Sequence, residues 1–300
     1  MGQLTVIMGF LSASVPTTLV DTSAYGPALS FFNDRLFLAW TGTDKKSSLN
    51  IESSQPGGSG SQLDFGQKVT LGEFSSNGPA LAVFNDRIYL AWVGTDGGHS
   101  LNLVSSADGQ NFDQKVGFAQ GSQYSPALAV FDNRLYIAWT ANDADGQFNV
   151  ASSADGQAFG PPVQLQYTAA STKIFTGPAL AVFNDALYIA WGGVENGGAA
   201  LPNVLSSTDG QKFALGWVSP PAVDNPTLVE SFSPALVALD GELYIVWPTG
   251  NGGQVYSAVT TSGKAPNGPP VLSNEIRTLS TVALVGGGPF LFAAYTDLPV

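Results

Sequence analysis

One apolar cassette recurs along the chain and limits what it can fold into. Pro-Ala-Leu stands at Pro27, Pro79, Pro126, Pro178 and Pro234, and each copy runs on into a short apolar and aromatic segment ending in Trp40, Trp92, Trp139, Trp191 or Trp247. A sixth, eroded copy spans Ser280 to Asp297, with Tyr295 in the tryptophan's place. The copies are about 50 residues apart, a period that belongs to ring and solenoid architectures, and six of them fill the 300 residues without leaving a segment for a second domain.

Each unit reads as four short strands. In the most regular copy, Pro79 to Phe84 is apolar on both faces, as a strand covered on both sides must be. Asn85-Asp86 supplies a tight turn, and Arg87 to Val93 is a second apolar strand. Ser100 to Ser105 is more polar, Ala107-Asp108-Gly109 is a further hairpin signal, and a fourth strand follows Phe112. Apolar character falls from the first strand to the fourth, which places the first nearest a central axis and the last at a wet rim.

The expected fold is therefore all-β, a six-bladed β-propeller of four-stranded antiparallel blades. The expected blades are 25-74, 75-121, 122-168, 169-222 and 223-275, with the sixth made of 276-300 together with 1-24. That sixth blade follows from the chain ends. Gln3 to Gly9 and Val15 to Val20 fill the third and fourth strand slots, whereas the last copy stops after its second strand at Thr296-Asp297. The ring is expected to close by pairing of the two terminal segments. The first fifteen residues superficially resemble a leader, but no Lys or Arg precedes the apolar core and the segment completes a repeat. The expectation is a chain that stays cytoplasmic or leaves without a classical signal.

Net charge of −12 disfavours nucleic acid and anionic membrane as partners, since both require a positive field. The absence of cysteine removes disulfides and thiolate metal sites. No apolar run is long enough to span a bilayer, so membrane insertion is not expected.

The turns Ser106-Ala107-Asp108-Gly109, Ser153-Ala154-Asp155-Gly156 and Ser207-Thr208-Asp209-Gly210 resemble the Asp-box of sialidase-like propellers. They lack its spacer between Asp and Gly and lead to Phe112, Phe159 and Phe213 instead of tryptophan. With Pro-Ala-Leu and Leu-Tyr-x-Ala-Trp, the whole unit resembles bacterial tandem-blade propeller lectins. The resemblance implies a structural role for Asp108, Asp155 and Asp209, and a glycan-binding activity. It does not extend to sialidase catalysis. Of four arginines, Arg35, Arg87 and Arg134 share one repeat position, Arg277 is the only irregular one, and the lone His99 lies in a Gly-rich loop.

Binding is expected at the loops after the second strands, which share one end of the ring with the connections between blades. There Asp44, Asp96, Asp143 and Glu195 offer oxygens for sugar hydroxyls. Trp40, Trp92, Trp139 and Trp191 offer aromatic faces, although a tryptophan at one fixed strand position in five blades more often packs between blades. Tyr124, Phe175 and Phe232 add aromatics at blade boundaries. The acidic loops form a conceivable Ca2+ site, but no cofactor is predicted. The expectation is a multivalent lectin without catalysis, binding glycans or glycoconjugates as a monomer or oligomer. The alternatives are a protein-interaction scaffold, or a hydrolase or lyase with one site at the channel mouth.

Overall fold

Antiparallel pairing in a computed structural model of the protein divides the strands into six sheets arranged as blades around a ring. The structure describes residues 1-8, 16-54, 63-143, 146-165, 173-174, 176-194, 200-218, 233-248, 253-278, 280-287 and 290-297. In the second blade the order from axis to rim is Ala80–Phe84, Arg87–Val93, Ser100–Ser106 and Asp113–Gly121. The fourth blade adds a two-residue strand, Lys173–Ile174, beside Gly193 and Val194. Isolated bridges at Ser23, Ser75 and Ser122 occupy the same place in the first three blades.

The first hairpin of five blades is the same object. Asn33-Asp34, Asn85-Asp86, Asp132-Asn133, Asn184-Asp185 and Asp240-Gly241 all have positive φ at both central positions. That is the two-residue turn whose twist matches the strands, and Asn, Asp and Gly adopt it at little cost. It fixes the register, so Phe84 faces Arg87 and Ala80 faces Ala91, and the same pairing recurs as Ala28 with Ala39 and Ala127 with Ala138.

Six apolar clusters hold the ring, and each straddles two neighbouring blades. Trp92 lies in the cluster joining the first and second blades, Trp139 in the next, and Trp40 in the one joining sixth to first. A single blade is apolar on both faces, so its burial is completed only by its neighbours. Closure is made by the termini: Gly2–Met8 pairs with Phe290–Thr296 on one side and with Thr17–Ser23 on the other, through partners such as Val6 with Ala294.

Candidate functional site

The register sets the second-strand ends and the inner-strand starts at one end of the ring, since Ser23 bridges Gly42 while Ala28 faces Ala39. The inner strands begin there with Tyr25, Asn77, Tyr124, Thr176 and Ser280. Thr41 Oγ1 donates to the Asn77 carbonyl at 2.6 Å and Thr140 Oγ1 to that of Thr176 at 3.1 Å, which ties the first blade to the start of the second and the third to the start of the fourth. Half-burial pushes the Tyr124 phenol above its ordinary pKa. These starting positions, among the described residues, hold no carboxylate.

Around them stand the acidic loops. Asp44 accepts from the Ser48 amide at 2.9 Å, the Lys46 amide at 3.0 Å and Ser48 Oγ at 3.1 Å. Asp96 does the same with the Gly98 amide at 3.0 Å and Ser100 Oγ at 2.9 Å. In the third blade Asp143 accepts from the Gly146 amide at 2.8 Å, and its carbonyl accepts from Gln123 Nε2 at 3.3 Å. Each carboxylate therefore braces its own loop. The Ser48 amide holds Asp44 below the usual carboxylate range and the Ser100 hydroxyl does so for Asp96, so both are acceptors near neutrality and not proton donors. His99 shares a hydrogen bond with Ser76 Oγ at 3.3 Å through Nδ1. Glu195, Phe175 and Phe232 lie outside the described residues.

The tryptophans are not platforms for a ligand. Trp40, Trp92, Trp139 and Trp191 are at most 1% exposed, so the expectation of sugar stacking on them is corrected: their faces are spent on the neighbouring blade. Lysines complete the cover in two places. Lys68 Nζ sits 5.1 Å from the Trp40 ring centre and Lys115 Nζ 5.3 Å from that of Trp92. Lys68 pairs with Asp21 of the sixth blade and Lys115, at 2.7 Å, with Glu73 of the first. The three arginines at one repeat position bind their own blades, Arg35 to Gln67, Arg87 to Ser105 and Asp113, and Arg134 to Ser152.

Two clefts open on these seams. One of about 390 Å³ lies between the sixth and first blades, lined by Asp21, Thr22, Thr43, Asp44, Ser48 and Lys68 among others. The other, about 460 Å³, lies between the outer halves of the first and second blades and includes Glu73, Gln110, Asn111, Asp113 and Lys115. Behind the first stands half-buried Glu52, whose carboxyl is pushed above its ordinary value by burial and by the charge of Asp21. The repeat gave no signal of the Glu52 carboxyl's setting, because a single acid among five apolar counterparts reads as ordinary variation.

The Ser-x-Asp-Gly turns are architectural. Asp108 Oδ1 accepts from the Gln110 and Asn111 amides, both at 2.8 Å, and Ser106 Oγ accepts from the Gly109 amide at 2.9 Å. The fifth blade, whose turn looks lost in sequence, keeps the same device with Thr260 Oγ1 accepting from the Gly263 amide at 3.0 Å.

Fold and loops together define a six-bladed propeller with polar seams and an acidic rim at one end. No protein-family profile matches the chain, and no curated protein matches it in sequence. Among solved structures it is similar to the α-L-arabinofuranosidase Arb93A of Fusarium graminearum in complex with an iminosugar inhibitor, at 13% identity and TM-score 0.69, over 99% of this chain and 98% of that one. An α-L-arabinanase of Penicillium chrysogenum complexed with arabinobiose matches at 14% identity and TM-score 0.66, again over 99% and 98%. An α-L-arabinofuranosidase of Clostridium thermocellum matches at 12% identity and TM-score 0.50, over 82% and 93%. At these identities the likeness establishes the fold. The neighbours are glycoside hydrolases and not Asp-box lectins, which corrects the expectation of a non-catalytic lectin.

Proposed function

We propose that the protein is a glycoside hydrolase, with arabinose-containing glycans as the substrates to test first. One observation carries the reading: the likeness to an arabinofuranosidase and an arabinanase runs through the whole of both chains, with no part of either enzyme left over to hold the activity elsewhere. Hydrolysis of a glycosidic bond needs a carboxylic acid to protonate the leaving oxygen and a carboxylate to activate water or trap the sugar. The ionised Asp44 and Asp96, and Asp143 at the matching place in the third blade, suit recognition of sugar hydroxyls at the end of the ring where the second-strand loops lie.

The test is direct. Purified protein is incubated with aryl α-L-arabinofuranoside, arabino-oligosaccharides and, for contrast, aryl β-xyloside and β-fructofuranoside, and released sugar is measured. Turnover of an arabinose substrate is expected, with Asp96→Asn and Asp143→Asn raising KM more than they lower kcat. A folded protein that releases sugar from none of these would remove the reading.

A further inference from the structure

Glu52 occupies a position where every other blade is apolar. Its cross-strand partner is Leu38, and the matching positions facing the equivalent residues are Ile7, Val104, Ala151, Leu205 and Ala258. All five are buried. The acid stands on the seam between the first blade and the N-terminal hairpin, Gly2–Met8 with Thr17–Ser23. That hairpin is held on one side by pairing with Phe290–Thr296. On the other it is held by Leu4, Val6 and Leu19 packing on Leu29, Leu36, Leu38 and Trp40, and by the hydrogen bond between Thr22 and Thr43 at 2.7 Å.

The next seam is an internal control. There Glu73 and Lys115 form one pair over Trp92, as Asp21 and Lys68 do over Trp40, but Val104 takes the position of Glu52. Lys115 pairs with Glu73 at that seam, whereas at the hairpin Lys68 pairs with Asp21 while Glu52 also acts on the pair. The charged groups acting on Glu52 are Asp21 on the hairpin and Lys68 on the outer strand of its own blade.

We propose that Glu52 is a proton-operated latch on the N-terminal hairpin: protonated, it completes a neutral seam, and ionised, it sets a second negative charge beside Asp21 and loosens the hairpin from the first blade. The direction of titration agrees. Burial and the Asp21 charge hold the Glu52 proton to higher pH in the fold than in the unfolded chain. Its stabilising contribution is therefore complete below the ordinary carboxylate pKa and is lost as pH rises through the raised value.

The experiment is amide hydrogen exchange on the full chain at pH 4 and pH 7.5, corrected for the intrinsic pH dependence of exchange, in wild type, Glu52→Gln and Glu52→Val. The wild-type hairpin should open more at the higher pH, about tenfold for each unit by which the Glu52 pKa is raised. Both variants should lose that difference, and protection of Asp113–Gly121 should be unchanged by either substitution. The valine variant places the second blade's residue at this position, so it folds where an amide is not tolerated. A wild-type hairpin indifferent to pH, or a pH dependence that survives both substitutions, would overturn the latch.

Discussion

Replacing Gly156 by alanine tests whether the Ser-x-Asp-Gly turns seat one blade on the next. Gly156 has φ of +75°, and a Cβ there would stand 2.1 Å from Tyr89 Oη, 2.5 Å from Cζ and 2.7 Å from Cε1. Tyr89 belongs to the preceding blade and is 1% exposed, so its ring has nowhere to retreat. Two costs add: about 1–2 kcal/mol for an L side chain in the left-handed region, and about 1–3 kcal/mol for overfilling a packed site. Gly241 separates them, because its φ is +76° and nothing lies within 4 Å of a Cβ. For a chain of this length about 1 kcal/mol corresponds to roughly 2 °C in Tm. Gly241→Ala should lower Tm by about 2–4 °C and Gly156→Ala by about 4–10 °C, measured by scanning calorimetry. Equal shifts in the two variants would show that the turn does not bear on Tyr89. The same pairing recurs as Gly109 on Phe37, Gly210 on Tyr136 and Gly263 on Tyr188, so Gly210→Ala should repeat the larger effect.

Trp92→Ala should destabilise by about 3–5 kcal/mol, read in urea unfolding, since the ring is 1% exposed at the seam between the first two blades. Sugar hydrolysis lost at unchanged stability would instead return the ring to a ligand. Asp155 is held at about 2, first by the Ala158 and then by the Gln157 amide. Its contribution is present above the ordinary carboxylate pKa and is lost as pH falls through about 2. Acid unfolding of Asp155→Asn should begin from a lower stability at pH 7 and converge with wild type near that pH, and a constant offset down to pH 2 would contradict it.

The repeat was enough to give the blade count, the hairpin turns and the terminal closure, but not the extra strand Lys173–Ile174 of the fourth blade. A short apolar run and an Asn-Asp or Asp-Asn pair act through neighbours in the chain, and Asn85-Asp86 adopts the turn its residue types favour. It was also enough to make Asp108 a turn residue, since its partners Gln110 and Asn111 follow it directly.

What sequence left open depends on which blade a side chain meets. Trp40 at a fixed repeat position reads in sequence more readily as packing than as a platform, and the sixth blade and Lys68 set against it decide for packing. The fifth blade carries no Ser-x-Asp-Gly in sequence, yet its turn is preserved, because the Thr260 hydroxyl accepts from the Gly263 amide as Ser106 does from that of Gly109. Glu52 is the clearest case. Its neighbours Ile51 and Ser53 say nothing of Asp21, which stands on a different blade and meets it only across the seam. Local chemistry wrote the blade, and the seam between the N-terminal hairpin and the first blade was decided by long-range packing and by the charges that packing brings together.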